Sequence, residues 1–100
     1  MNLITVIIDG ADVPNLRLFF KLMVQELQFP NYTNNIETFD KQLNDLSWLE
    51  GSKVRISINN AKDFLIEEDN QVRKTMLAIL LSSMENEEAS SPILVIISKD

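Results

Sequence analysis

Asp9 is the first residue of the sequence whose position could support chemistry. It follows the apolar run at 4–8 and precedes Gly10, and ligands of parallel α/β sheets tend to bind beyond the carboxyl ends of strands. The chain has no His, no Cys and only two Gly, which excludes the commonest general base, a thiolate nucleophile and a Gly-rich phosphate loop. An Asp-Gly pair usually marks a turn. We therefore predict no enzyme activity, no cofactor and no metal site.

A second group of polar side chains lies where the segment Phe29–Leu49 passes from a Pro turn into a helix. A Tyr, amide groups and charges side by side have the composition of a protein-binding hot spot. The candidate partner-binding residues here are Tyr32, Asn34, Asn35, Glu37, Lys41, Asn44 and Asp45. Positions 37, 41 and 44 or 45 share one helix face, one turn apart. In a purely structural alternative the Asn residues only cap the helix, Glu37 complements its dipole and Tyr32 packs on the core.

Three segments have the composition of strands. The β-branched runs at 4–8 and 93–97 are bounded by turn residues. The second of these is nearly all apolar, as in a strand that is covered on both faces or lies centrally. Residues 53–58 alternate between polar and apolar, which indicates a strand with one wet face or an edge strand.

Four segments have helical spacing. The first helix follows Pro14 and ends before Pro30. The second has the buried stripe Ile36, Phe39, Leu43 and Leu46, and Asn34 followed by Glu37 resembles a capping box at its start. A short third helix is predicted around 61–65 and a fourth from Asn70.

The resulting order, βααβααβ, predicts an α/β fold in which helical crossovers join the strands of a parallel sheet. The chain has 100 residues without repeats or low-complexity segments, so we expect a single domain over 1–100.

The chain is acidic, with a net charge of −6. Such a surface repels nucleic acid and anionic lipid and attracts basic partners, or it serves solubility alone. The apolar run at the N-terminus is too short to span a membrane and lacks a basic flank. We expect a cytoplasmic protein that binds neither nucleic acid nor membranes.

The segment before and within the second helix resembles a motif of the barstar-like proteins, which inhibit secreted ribonucleases such as barnase. The matching residues are Pro30, Tyr32, Asn35–Phe39, Leu43 and Asp45–Leu49. The resemblance extends over nearly the whole chain, including the opening strand with its Asp-Gly turn and the final strand. It implies a single barstar-like domain with a three-stranded parallel sheet. It also implies an immunity protein that plugs the active site of a toxic nuclease with the second helix and the preceding loop.

The resemblance also implies roles for individual side chains. Tyr32 matches the contact Tyr of the family, Asn35 the motif Asn, and Glu37 the first acidic residue of the helix. Lys41 stands where the family has its dominant acidic contact, so the charge is reversed there, and like charges across an interface are costly. Asp40 lies about 100° around the helix and is not a simple substitute.

Two further correspondences concern the loop and the last helix. Asn34 replaces the usual Gly of the loop, a mild change because Asn tolerates a left-handed backbone. The acidic contact that the family takes from its last helix falls near Ser82 by helix register, or on Glu85 by alignment from the chain end.

Two functions remain open. The first is a barstar-like immunity protein, favoured as a monomer, whose partner is a basic nuclease toxin other than barnase itself. The second is a non-inhibitory interaction module or regulatory subunit with the same fold. Joint exposure of Phe20, Trp48 or Leu49 would favour the second.

Overall fold

The strands of the described chain form one parallel sheet. The computed structural model describes residues 2–30, 35–85 and 92–98. The strands are β1 (Asn2–Asp9), β2 (Ser52–Asn59) and β3 (Ile93–Ile97), in the order β1-β2-β3. Val6 pairs with Ile56, and Ile56 with Val95, so apolar side chains stand in rows across the sheet.

In the described part of the chain, three α-helices connect the strands. They are α1 (Leu16–Leu27), α2 (Ile36–Asp45) and α3 (Asn70–Ser83). Short 3₁₀ turns at Gly10–Asp12 and Ser47–Leu49 follow β1 and α2. The predicted α/β class with three parallel strands is confirmed. No helix in the described part of the chain is long and apolar enough to cross a membrane.

One face of the sheet carries the core and the other faces solvent. Alternate strand residues such as Val6, Ile8 and Ile56 are fully buried, whereas their neighbours Leu3 and Ile7 are exposed. The helices therefore pack on one face only. This pattern agrees with the predicted one wet face of β2, which is however the central strand and not an edge.

The prediction for β3 is wrong. β3 lies at an edge of the sheet, and Leu94, Ile96 and Ile97 are exposed. Its continuous apolar run suggested a covered or central strand. Strand order depends instead on the two crossovers, which step in the same direction and so place the second strand in the middle.

All five Phe side chains of the chain meet in the core. Phe19 contacts Phe64 at a ring-centroid distance of 5.2 Å and Phe39 at 5.3 Å. Phe39 also lies 5.4 Å from Phe20 and 6.0 Å from Phe29. Aromatic pairs at such separations add to the stabilisation from burial, so this cluster fastens α2 to α1.

The helix predicted around 61–65 is absent, and residues 61–67 form consecutive turns. Leu65 has a left-handed backbone (φ 56°) that ends any helix there, and its N–H donates to Val13 O over 3.0 Å. Arg73 of α3 also supplies donors to carbonyl groups of these turns. Its guanidinium donates to the carbonyl oxygens of Ala61, Lys62 and Phe64 over 2.9–3.2 Å.

Gly10 allows β1 to leave the sheet beneath this turn segment. A Cβ at Gly10 would overlap the carbonyl oxygen of Asn60 and lie 2.8 Å from Phe64 N. The predicted Asp-Gly turn is therefore a point of close backbone packing.

We expect Gly10→Ala to destabilise the fold by about 3 kcal/mol, the upper end of typical overpacking costs, because backbone atoms have to move. Gly51→Ala is the matched control. Gly51 has φ +88° but open space around it, so only backbone strain of about 1 kcal/mol applies. Urea unfolding of both variants measures the difference, and equal losses would contradict the close packing at Gly10.

Asp9 makes a pH-dependent contribution to the stability of the fold. Its Oδ1 accepts from Asn60 Nδ2 at 2.8 Å and Ala11 N at 3.0 Å, and these bonds, the first above all, lower the pKa of Asp9 below its ordinary 3.8. A lowered folded-state pKa stabilises the fold above the unfolded value, and this contribution is lost as pH falls through the folded value.

Asn60→Gly removes the side-chain donor and keeps a residue suited to the left-handed backbone at this position (φ 52°). We expect the pKa of Asp9, followed by NMR of its carboxyl carbon, to rise toward the ordinary value. The stability difference from wild type should shrink in acid. A pKa unchanged by Asn60→Gly would show that this bond does not stabilise the carboxylate.

Candidate functional site

The helix α2 begins at an Asn cap. Asn35 has an extended backbone, and its side chain accepts the N–H of Thr38 at 2.8 Å. The cap therefore lies at Asn35, one residue after the predicted Asn34, and Glu37 occupies the second helical position and not the third that a capping box requires. Glu37 still lies in the first turn, where a carboxylate complements the helix dipole. Tyr32 and Asn34 lie outside the described residues.

The inward side of α2 fixes which residues point outward. Phe39 and Leu43 are fully buried, and so is the C-cap residue Leu46, which has a left-handed backbone (φ 44°). With this stripe held in the core, residues on the opposite side of the helix cannot rotate inward. The outward residues are Glu37, Asp40, Lys41, Asn44 and Asp45, hereafter the α2 face.

Glu37 and Lys41 form an exposed ion pair on the α2 face. Lys41 Nζ lies 3.4 Å from Glu37 Oε1, and the two side chains are 75% and 80% exposed. Exposed pairs of this kind contribute only about 0.3–0.5 kcal/mol. Both charges are therefore held near each other and remain accessible to a partner.

Asn44 and Asp40 form a second pair along the helix. Asn44 Nδ2 donates to Asp40 Oδ1 at 2.8 Å and to Asp40 O at 2.9 Å, and both residues are half-buried. Asp45 is exposed and accepts from Ser47 Oγ at 3.3 Å. The α2 face thus carries three carboxylates and one ammonium group, so it is net anionic despite Lys41.

The chain just before the linker to α2 is held by an aromatic contact. Phe29 is buried and packs edge-on against Trp48, with ring centroids 5.7 Å apart. Trp48 Nε1 donates to Leu27 O, at the end of α1, over 2.8 Å. This bond satisfies a carbonyl that the helix itself leaves unpaired. The segment carrying Tyr32 and Asn34 is therefore bounded by the anchored Phe29 and the helix cap Asn35.

The C-terminal end of α3 offers the other predicted contact. The helix ends at Ser83, and Glu85 follows in a turn and is exposed. Ser82 is also exposed, and its hydroxyl donates to Ile79 O at 3.2 Å. α3 packs against α2, but no hydrogen bond or ion pair among the described residues joins Glu85 to the α2 face.

Asp9 and the aromatic group around Trp48 are not part of the α2 face. The carboxylate of Asp9 is engaged by Asn60 and Ala11, which fits a structural role. Phe20 is buried, whereas Trp48 and Leu49 are half-buried, so these three side chains do not form a jointly exposed patch. The described residues contain no cluster of acidic side chains suited to a metal ion.

Comparison with known proteins agrees with this architecture. The family model described as Barstar (barnase inhibitor) matches residues 3–97. The chain belongs to the barstar family. No curated protein and no solved structure matches the chain at a significant level.

Within this barstar-family chain, the structure brings together Asn35, Glu37, Lys41 and Asp45 at the exposed side of α2. The bond between Asp40 and Asn44 was not predicted, although their i,i+4 spacing is a usable signal. The bond from Trp48 to Leu27 was not predicted either, and no local pattern indicates it because 21 positions separate the two residues.

We expect Trp48→Phe to destabilise the protein by about 1 kcal/mol, the typical net value of one hydrogen bond. The ring contact with Phe29 can persist, whereas the carbonyl of Leu27 loses its donor. Thermal unfolding followed by circular dichroism measures the change. Wild-type stability in this variant would show that the indole bond contributes nothing.

Proposed function

We propose that this barstar-family protein is an immunity protein that binds a toxic ribonuclease or a related nuclease toxin and occludes its active site. The proposed contact surface is the α2 face together with the linker before it, including Tyr32, Asn34 and Asn35, and Glu85 at the end of α3. The observation that carries the proposal is an exposed, net anionic α2 face in a chain of the barnase-inhibitor family. Inhibition needs no chemistry by the inhibitor, only burial of the cleft.

Electrostatics supports a basic partner. A nuclease has to hold phosphates and therefore presents cations in its cleft, and the chain carries a net charge of −6. Opposite charges accelerate association and orient the encounter. Glu37 and Asp45 are the exposed carboxylates of the α2 face, on either side of Lys41 around the helix.

Lys41 is the basis for proposing a partner other than barnase. A protein often distinguishes between related partners by where charges are placed in the interface. Lys41 is accessible and only weakly paired to Glu37, so it would meet the partner directly. We propose that the cognate toxin has an acidic or neutral group opposite Lys41, whereas barnase-type sites are basic there.

The protein would act in the cytoplasm as the immunity half of a toxin–antitoxin pair, because it has to meet the nuclease where the RNA of the producing cell is. Glu37, Lys41 and Asp45 of the α2 face are exposed, so a partner could reach them.

A ribonuclease assay with a barnase-type enzyme tests the proposal, using wild type and Lys41→Asp at low and moderate salt. If the charge at position 41 sets specificity, we expect Lys41→Asp to inhibit more strongly, with an advantage that diminishes as salt screens it. Stoichiometric inhibition by wild type would support the inhibitory function but contradict a specificity for a partner other than barnase. Inhibition by neither protein would reject ribonucleases of the barnase type as partners.

Charge-matched substitutions identify the face that binds. Glu37→Ala removes a carboxylate from the α2 face, whereas Glu26→Ala removes an exposed carboxylate from α1. Each substitution is made in whichever protein inhibits, wild type or Lys41→Asp. Of the two Glu variants, we expect only Glu37→Ala to slow association with the nuclease. We expect Tyr32→Ala to accelerate dissociation of the complex. Unchanged binding in both Glu37→Ala and Tyr32→Ala would eliminate the proposed surface.

A further inference from the structure

The strand β1 lies at an edge of the sheet and has one free side. Its eight residues, Asn2–Asp9, pair with β2 alone. Among the described residues, none hydrogen-bonds to the main chain of β1 on its free side. An edge strand of this length presents a row of unpaired N–H and C=O groups that can accept another strand.

The two edges of the sheet differ in protection. β3 has five residues, and the N–H of Val95 donates to Met84 Sδ at 3.1 Å, so a side chain occupies part of that edge. β1 lacks two features that usually protect an edge strand, because residues 2–8 include no Pro and no ionisable side chain. The free side of β1 is therefore the better template for strand addition.

Apolar side chains flank the free side of β1. On the open face Leu3 and Ile7 are 62% and 65% exposed. Between the strand and α1 runs a groove that is lined by Ile7 and by the half-buried Leu18 and Leu22. The charged residues of the groove are Asp9, Asp12 and Lys21, which have both signs.

The sequence of β1 is complementary to itself when two copies run antiparallel. With a two-fold axis at Thr5, Leu3 of one copy faces Ile7 of the other, and the two Thr5 side chains face each other. All of these side chains lie on the open face. Apolar pairs and Thr–Thr pairs are among the favourable cross-strand combinations.

Electrostatics does not oppose this arrangement. No like charges meet, since the paired segments carry none between residues 2 and 8. Lys53 and Arg55 are on β2, and the two β2 strands would be about 14 Å apart, three strand spacings. That exceeds the Debye length of about 8 Å at physiological salt.

We propose that β1 is a self-association edge, through which two copies of this chain join their sheets antiparallel about Thr5. The interface is one strand pair and the flanking side chains, smaller than a standard interface of about 800 Å² per partner. The dimer is therefore weak, and the monomer predominates in dilute solution. No residue of the α2 face takes part, so the proposal is independent of the proposed function.

Disulfide cross-linking tests this register, because the natural chain has no Cys. In the proposed dimer the two Thr5 Cα atoms are about 4.5–5.5 Å apart, within disulfide range. Ser57→Cys is the control, since Ser57 pairs with Ile7 on the same face but lies on the central strand. We expect Thr5→Cys to form covalent dimers at least about tenfold faster, because pairing raises the local thiol concentration.

Two further measurements fix the direction and the driving force. A mixture of Leu3→Cys and Ile7→Cys should cross-link mainly to the heterodimer. Sedimentation of wild type over about a hundredfold range of concentration should show mass increasing toward a dimer, and Ile7→Lys should abolish the increase. Equal cross-linking of Thr5→Cys and Ser57→Cys, or a concentration-independent monomer mass, would overturn the proposal.

Discussion

The packing of Phe39 is the interaction on which the rest of the structure most depends. It is the side chain through which α2 reaches Phe19, Phe20 and Phe29 at once. A helix of ten residues is too short to be stable alone in water, so α2 exists because this stripe is buried. The same burial determines the outward direction of Glu37 and Lys41. Core packing and the geometry of the candidate interface therefore have one cause.

Long-range hydrogen bonds from two side chains hold irregular segments of the backbone in place. Trp48 secures the end of α1 beside the linker, and Arg73 gathers three carbonyl groups of the turns after β2. Buried or half-buried carbonyl groups without partners are costly. By supplying hydrogen bonds to such carbonyl groups, these two side chains allow irregular segments to pack against the rest of the fold.

Much of this architecture could be predicted from local pattern. The stripe of α2 follows from the spacing of Phe39, Leu43 and Leu46, and the exposure of Glu37 and Lys41 follows from the same period. The cap was ambiguous because Asn34 and Asn35 are chemically equal, and only the backbone decides between them. The turns at 61–67 could not be predicted, since they depend on partners that lie elsewhere in the chain, Arg73 on α3 and the carbonyl oxygen of Val13. The edge position of β3 was equally hidden, because crossover direction and not composition sets strand order.

The high exposure of Lys41 and Glu37 has an evolutionary consequence. Residues that contribute little to folding can change sign without endangering the scaffold, while the buried stripe beneath them stays constrained by volume. A lysine codon and a glutamate codon differ at a single nucleotide. A lineage carrying this scaffold can therefore alter the charge that this surface presents in one mutational step, without first acquiring compensating changes in the core.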